Sequence, residues 1–296
     1  MSVKVFETVA ADQQGKSDTG WRLHYAQMSA GQFKGRLVEA ELGNVQVYEE
    51  HMNTRIEQYY QAPSDALVFS FDMTDRALYL LDASTQNLWI TPENYREIAV
   101  VIRQESLGTR HLHRTFEDLL LTPLTSSHGA LFSGWLSTML SRMTQQPGSQ
   151  AASHLGDQLI DDCLYVLDQS APARLSGTSL RLRDQRKMVQ RVFEMVSAFP
   201  TENFSVVQLA DSAGTSFQQL RSAFNQCVGI APSAWLRSRR LNLARQDLLS
   251  ASAEQTNVAE VAMRYSFWHL GRFSETYRAL FLEYPSQTLA RRPARG

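Results

Sequence analysis

The amino-acid sequence predicts an α+β protein with a β-strand domain in its first half and an all-helical domain in its second half. Three observations support this fold class: strand-like alternation up to about residue 105, helical periodicity beyond it, and a helical unit that occurs twice after about residue 200. With 296 residues and 43% apolar residues, the chain suits about two domains of roughly 150 residues each. Disordered, collagen-like and disulfide-stapled classes do not fit this composition.

The first half of the chain has the residue alternation of short antiparallel strands. Residues 37–42 and 45–48 alternate apolar with polar side chains, and Gly43 and Asn44 between them supply a tight turn, which predicts a hairpin. Further strand-like runs, separated by turn residues, occur at 66–71, 77–81, 87–90 and 97–102. This spacing is typical of a small barrel or sandwich, and we interpret it as a β-barrel.

Helical periodicity begins at residues 116–143 and continues at 154–169. The apolar residues of the second stretch recur at helical spacing and allow pairing with a second copy: Leu155, Leu159, Cys163 and Val166. The stretch after residue 170 contains small residues, Pro and Gly, which is the composition of a linker. The sequence therefore predicts a first domain at 1–170, a linker at 171–183 and a C-terminal domain at 184–296.

Charge and cysteine content narrow the functional classes. Residues 1–180 carry 13 basic and 21 acidic side chains, whereas residues 181–296 carry 16 basic and nine acidic ones, and 15 of those 16 are arginine. Because arginine suits bidentate contacts with phosphates and base edges, the basic half indicates nucleic acid, with a solvated basic face as the alternative. Cys163 and Cys227 form no metal or redox motif. We predict no signal peptide, because the first residues lack an apolar run and a small-residue cleavage site. We predict no membrane span, because Pro and polar residues interrupt the uncharged stretch at 119–141.

A helical unit occurs twice in the C-terminal domain. Residues 205–210 align with 257–262 at a separation of 52, and each string has a polar N-cap with Gln or Glu three residues later, a capping box. With one inserted residue, the apolar and Pro-Ser positions of 220–236 fall on those of 273–289 at a separation of 53. Each unit has the helix-turn-helix plan. The predicted helices are 205–212, 216–228, 257–265 and 268–281.

The second helix of each unit combines an apolar stripe with a polar face. The spacing predicts two buried stripes, Phe217, Leu220, Phe224 and Val228 in the first unit and Leu270, Phe273, Tyr277 and Phe281 in the second. A helix with an exposed hydrogen-bonding face fits the major groove of DNA. The candidate base-reading residues are Gln218, Arg221, Ser222, Asn225, Arg272 and Glu275.

A helix predicted at 232–250 joins the two units. It extends about 28 Å, which is comparable with one turn of duplex DNA, so it can hold both second helices in neighbouring major grooves. The candidate phosphate contacts are Arg186, Lys187, Arg191, Arg237, Arg239, Arg240, Arg245 and Arg278.

Residues 209–248 and 258–289 resemble the double helix-turn-helix domain of the AraC/XylS family of bacterial transcription regulators. The resemblance covers about 100 residues, roughly a third of the chain. It includes both unit spacings, the A-M-R-Y-S-F turn at 262–267, the Arg272-Phe273-Ser274 run and Pro285-Ser286. It implies a cytoplasmic, sequence-specific DNA-binding regulator, most often an activator, that works with RNA polymerase. It also implies an N-terminal cupin-like β-barrel that binds a small effector and helices that form a homodimer.

The chain departs from the family pattern at four positions. Ser266 and Leu282 stand where the family usually has glycine, so both turns must form without the residue that adopts positive φ most easily. Leu270 and Gly271 occupy positions that often face bases in the family, yet their side chains cannot hydrogen-bond. We therefore expect the second unit to depend on Arg272 and on Glu275, an acceptor for the amino group of cytosine.

Two signals in the first domain have an alternative interpretation. His111, His113 and Glu117 reproduce part of the metal motif of catalytic cupins, but a fourth ligand is missing, so we predict no metal, no cofactor and no enzyme activity. Aromatic side chains are weak candidates for an effector pocket, since core packing is their commoner role: Trp21, Tyr25, Tyr48, Tyr79 and Trp89. Two alternatives stay open, a cupin-type enzyme or ligand-binding module with a helical protein-interaction tail, and a nonspecific architectural DNA binder.

Overall fold

The computed structural model describes residues 2–14, 20–84, 86–108, 119–120, 122–146, 154–172, 177–199, 202–251 and 256–291. Within these residues the first half of the chain forms two antiparallel β-sheets and the second half is helical. The strands are β1 (Ser2–Thr8), β2 (Arg22–Gln27), β3 (Gly35–Leu42), β4 (Val45–Met52), β5 (Ile56–Gln61), β6 (Ala66–Asp72), β7 (Ala77–Asp82), β8 (Gln86–Ile90), β9 (Tyr95–Arg103), β10 (Leu124–Thr125) and β11 (Ala171–Pro172).

The strands predicted from residue alternation are confirmed. The hairpin β3–β4 pairs Leu42 with Val45, and Gly43 turns the chain with φ +67°, a conformation that costs glycine little. The larger sheet has the order β1-β3-β4-β9-β6-β7-β10-β11, and the smaller one has the order β2-β5-β8. The α+β fold class is therefore correct at the level of a sheet-rich first half and a helical second half.

The closed barrel is a correction to the sequence prediction. In the described residues the strands hydrogen-bond within two separate sheets, so the ring of a closed barrel is absent there. The two sheets instead contact each other through side chains, with Tyr25 of β2 hydrogen-bonded to Glu50 of β4. This is a sandwich-like solution to the same alternating pattern, in which one face of each sheet is buried.

Two helices cover the other face of the larger sheet. They are α2 (Ser127–Gln145) and α3 (Leu155–Asp168), which follow the short helix α1 (Gln104–Leu107). Leu136 and Leu140 of α2 and Leu159 and Cys163 of α3 are fully buried with Val47, Phe69 and Val100 of the sheet. The thiols of Cys163 and Cys227 are free. No helix in the described part of the chain is long and apolar enough to cross a membrane.

The start of α2 is a second correction. The sequence predicts a helix from residue 116, whereas Leu124–Thr125 is extended and α2 begins after Ser126, whose hydroxyl accepts a hydrogen bond from the amide of Gly129 at 2.9 Å. Pro123 explains the difference, because proline disfavours helical backbone at the preceding residue and removes a helical donor. The helix at 154–169 is confirmed as α3.

The C-terminal half contains the predicted helices nearly residue for residue. Helix α4 (Gly177–Ala198) begins inside the segment 171–183, whose assignment as a linker stays a prediction. The remaining helices are α5 (Val206–Ser212), α6 (Phe217–Cys227), α7 (Pro232–Ser250), α8 (Val258–Arg264), α9 (Leu270–Phe281) and α10 (Pro285–Leu289).

Candidate nucleic-acid interface

Local hydrogen bonds fix the beginning of three of the four unit helices. The hydroxyls of Ser205 and Ser216 each accept a hydrogen bond from the amide three residues on. The backbone amides of the two serines donate in return to the side-chain oxygens of Gln208 and Gln219, so α5 and α6 both start with a complete capping box. Asn257 caps α8 through the amide of Glu260 at 3.0 Å, although the return contact goes to the Asn257 side chain instead of its backbone. His269 precedes α9 without a side-chain cap.

The turns of the two units have the same backbone conformation but different residues. Gly214 and Gly229 have φ values of +66° and +74° in the first unit. The matching residues of the second unit, Ser266 and Leu282, adopt φ values of +62° and +57°. The second unit therefore forms both left-handed turns without glycine, and each costs roughly 1–2 kcal/mol of backbone strain.

An aromatic core orients the second helix of each unit. In the first unit the ring of Trp235 lies 4.9 Å from Phe193 and 5.4 Å from Phe224, measured between centroids. In the second unit the ring of Phe273 lies 5.0 Å from Phe267 and 5.7 Å from Tyr277. Because α6 and α9 bury these rings, their opposite faces are turned to solvent.

The polar faces of α6 and α9 are exposed as predicted. In the first unit these side chains are Gln218, Arg221, Ser222 and Asn225, and in the second unit the exposed positions are Gly271, Arg272, Glu275 and Arg278. Arg278 also donates a hydrogen bond to the Tyr284 hydroxyl at 2.7 Å. The structure thus gathers the candidate base-reading residues on two matching helix faces, and their contacts with bases stay a prediction.

The apolar stripes differ from the prediction at one position in each unit. Phe217 and Leu270 were expected to be buried, but they are 47% and 39% exposed, while Ala223 and Leu280 lie in the cores instead. Trp268, just before the N-cap of α9, is 72% exposed. Phe217 and Leu270 are each the first residue of their helix, at the end of the apolar stripe, so their side chains are not covered by the facing helix.

Four of the phosphate candidates are exposed, three of them on helices α4 and α7 and the fourth, Arg278, on α9. Lys187 and Arg191 lie on α4, and Arg237 lies on α7. Two others are half-buried: Arg186, whose guanidinium lies near the hydroxyl of Tyr79, and Arg240, which donates to Asn203 at 3.0 Å and stacks on the ring of Phe267.

Arg239 and Arg245, the other two phosphate candidates, are largely buried in ion pairs, and their contacts with phosphates stay a prediction. The Arg239 guanidinium donates to Glu57 at 2.7 Å, and its side chain is only 14% exposed. Arg245 is ion-paired with Glu283 and stacks on Phe281, with 12% of its side chain exposed. Sequence spacing placed both on a helix face, but tertiary carboxylates neutralise them.

A polar contact between the two halves of the chain was missed by the sequence analysis. Glu57 of β5 is buried and accepts hydrogen bonds from Arg239 and from the indole of Trp235. Asn242 of α7 exchanges two hydrogen bonds with the backbone of Gln27, at 2.8 and 3.0 Å. The Gln27 side chain donates to the carbonyl of Leu280 at 2.9 Å, and Arg55 donates to that of Gly229 at 2.8 Å. The smaller sheet contacts the C-terminal end of α9, and Arg55, the residue before β5, contacts the C-terminal end of α6.

The five aromatic effector-pocket candidates fall into two groups. Trp21, Tyr48 and Tyr79 pack between the sheets, and Trp89 lies 5.8 Å from Tyr79 between ring centroids. Tyr25 belongs to a separate apolar cluster with Phe33 and Tyr95. The histidines and glutamate of the metal motif, at 111, 113 and 117, lie outside the described residues.

The two exposed helix faces are positioned by the shared connector helix α7. This arrangement is that of the helix-turn-helix class of DNA-binding proteins. A family model described as a helix-turn-helix domain matches residues 209–291. The chain is 37% identical over 103 residues to XylDLEGF operon transcriptional activator 1 of Pseudomonas putida, a match covering 35% of this chain and 31% of that activator. It is also 32% identical over 168 residues to the probable thc operon regulatory protein of Rhodococcus erythropolis, covering 54% and 50% of the two chains.

A solved structure, of a probable AraC family transcriptional regulator from Rhodopseudomonas palustris, is 31% identical. Its match covers 35% of this chain and 94% of that one, with a TM-score of 0.33. The C-terminal part of this chain, residues 209–291, is a helix-turn-helix domain of the AraC/XylS type. The chain spans about a third of the length of the P. putida activator that it matches.

Proposed function

We propose that the protein is a sequence-specific DNA-binding transcriptional activator. The observation that carries this proposal is the pair of matching recognition helices, α6 and α9, each with its hydrogen-bonding face exposed and its apolar face in an aromatic core. Both helices enter neighbouring major grooves, Arg221 and Arg272 bind base edges, and Lys187, Arg191 and Arg237 bind phosphates. The matched relatives are regulators, not enzymes, and several are named activators, which supports activation of transcription instead of repression.

Selection of bound duplexes by the full-length chain, followed by salt titration, tests this function. We expect a motif with two half-elements about 10 base pairs apart. Arg272→Ala should weaken binding by about 1–3 kcal/mol at one preferred base, whereas Arg237→Ala should weaken all sequences alike and lower the salt slope by about one. Sequence-blind binding with equal losses for both variants would leave an architectural DNA binder instead.

The proposed effector site lies between the two sheets. Glu50 of the larger sheet accepts hydrogen bonds from Tyr25 and Gln58 of the smaller one, at 3.3 and 3.0 Å, so a polar network bridges this space. The indole N–H of Trp89 is buried and has no hydrogen-bond partner among the described residues. A buried donor without a partner is costly, which supports an occupant that accepts from it. We also propose that this first domain is cupin-like and that its ligand is a small effector molecule.

The proposed homodimer uses the outer face of α2 and α3. Leu131, Trp135 and Tyr165 are 74%, 45% and 54% exposed there, and large apolar side chains grouped on one face favour a protein contact. Native mass spectrometry of the full chain tests both proposals. We expect a dimer that Trp135→Ser weakens, together with a bound small molecule whose retention falls in Trp89→Phe. A monomer without added mass under all conditions contradicts both.

The sheet contacts suggest how the first domain acts on DNA binding. It holds Arg239 in an ion pair and supports the C-terminal ends of both recognition helices. A change in the smaller sheet therefore alters the relative placement of α6 and α9, which is the two-state element that an effector can bias. RNA polymerase, as the partner of an activator, belongs to this proposal through the family.

A further inference from the structure

The first residue of each recognition helix is a large, exposed apolar side chain. Phe217 begins α6 and Leu270 begins α9, and the two occupy equivalent positions at the repeat separation of 53. They are 47% and 39% exposed. A single exposed apolar residue is ordinary on a protein surface. Here, however, a large apolar side chain is exposed at the equivalent position of two units that differ in sequence. This repetition indicates a shared functional role for the two side chains.

These side chains stand beside the base-reading face. Arg221 follows Phe217 by four residues, which places the two side chains next to each other on α6. The N-terminal residues of a recognition helix are the ones that reach base edges in the major groove. In the second unit Trp268, 72% exposed, adds another apolar side chain immediately before the cap of α9. Both helices thus present an apolar group at the end that enters the groove.

The major groove offers one apolar group to such a side chain, the 5-methyl group of thymine. The other base edges carry hydrogen-bond donors and acceptors, which a phenyl or isobutyl group would desolvate without replacing their bonds. We propose that Phe217 and Leu270 are specificity-determining residues that each contact a thymine methyl group, one in each half-element of the target site. This inference rests on the proposed function, because it requires that α6 and α9 enter the major groove.

Replacing thymine by deoxyuridine tests the contact, because it removes the methyl group and keeps every hydrogen-bonding atom. In the best duplex from the selection, each thymine is replaced in turn and the Kd for the full-length chain is measured. We expect Kd to rise about fourfold at one thymine in each half-element, the factor that burial of one methyl-sized group gives. Thymines elsewhere should tolerate the change.

Three variants assign the two thymines to their side chains. Phe217→Ala should abolish the deoxyuridine effect in one half-element and Leu270→Ala in the other, each leaving the partner half-element sensitive. Val207→Ala is the matched control, because Val207 is 58% exposed but lies on α5, the first helix of its unit, and it should retain both effects. Thermal unfolding of all three variants checks that they stay folded.

The possible results of these binding measurements distinguish this inference from the proposed function on which it rests. Specific binding that is insensitive to deoxyuridine at every thymine overturns the inference and leaves the DNA-binding function in place. Sensitivity that persists unchanged in both Phe217→Ala and Leu270→Ala overturns it as well, since other residues must then contact the methyl groups. Failure to select any preferred duplex overturns the proposed function and this inference together.

Discussion

The two helix-turn-helix units share a backbone plan but end their recognition helices with different chemistry. In the first unit the turn after α6 is Gly229 followed by the half-buried Ile230, which packs on the apolar core. In the second unit the equivalent residues are Leu282, in a left-handed conformation, and Glu283, a buried carboxylate that binds Arg245 and Arg291. The repeated spacing therefore gives both units the same turn geometry. The first unit forms this turn with glycine and apolar packing, whereas the second forms it with a strained leucine and buried ion pairs.

The largest difference between the units should appear when the residue after the turn is truncated. We expect Glu283→Ala to lower the free energy of unfolding by about 3–5 kcal/mol, because Arg245, 12% exposed, would keep a buried charge without its partner. Ile230→Ala, at the equivalent place in the first unit, should cost roughly 1–2 kcal/mol for a half-buried side chain. Equilibrium unfolding in urea measures both, and equal losses would show that the ion pair carries no special role.

The buried carboxylates of the sheet domain and the helical units differ in whether they contact arginine, which predicts a pH effect for the one that does not. Glu57 and Glu283 contact arginine, whereas Glu50 accepts hydrogen bonds from Gln14, Tyr25 and Gln58. Burial raises the pKa of Glu50 from 4.5 to about 7, so the folded state binds its proton more tightly than the unfolded chain. Stability from this group is present at low pH and is lost as pH rises from about 4.5 to about 7, by roughly 3 kcal/mol.

Urea unfolding at about pH 4.5 and about pH 8 measures this loss. Glu50→Gln should reduce the loss of stability between these pH values by roughly 3 kcal/mol relative to the wild-type protein, since an amide does not titrate in this range. Glu7→Gln is the matched control, because the Glu7 side chain is 78% exposed and should leave the difference unchanged. A Glu50→Gln variant that loses as much stability as the wild-type protein between these pH values would show that the Glu50 pKa is not raised.

The sequence predicted the elements of both units because their signals are local. Caps at Ser205 and Asn257 and the repeat separations place every unit helix within about two residues. The partners of Arg239 and Arg245 were missed, because Glu57 lies 182 residues from Arg239 and no local pattern records such a pairing. The exposure of Phe217 and Leu270 was missed for a related reason. Helical spacing gives the direction of a side chain, but the position of the facing helix decides its burial.

The attachment of the two units to the smaller sheet offers a test of intermediate size. The first unit is attached through the charged Glu57, and the second through the neutral Gln27, whose amide donates to Leu280. Glu57→Gln should cost about 1–2 kcal/mol, because a neutral acceptor replaces a charged one for Arg239 and Trp235. Amide hydrogen exchange should then quicken at the start of α7 more than in α9, and Gln27→Ala should quicken exchange at the end of α9. Equal changes along both units would contradict separate attachments.

The smallest expected effect concerns the left-handed turns and has the opposite sign. Ser266→Gly and Leu282→Gly should each raise the free energy of unfolding by about 0.5–1 kcal/mol, because relief of left-handed strain exceeds the entropy cost of glycine. Leu282 is 61% exposed, so its removal forfeits little burial. The matched control in the first unit is Gly214→Ala, where an added Cβ meets no atom within 4 Å but must adopt φ +66°. It should lose about 1 kcal/mol in the same urea titration. If Ser266→Gly and Leu282→Gly destabilise the chain instead, the contacts of these two side chains outweigh their backbone strain. The turns of the second unit are then stabilised by these contacts as well as by the ion pairs of Glu283.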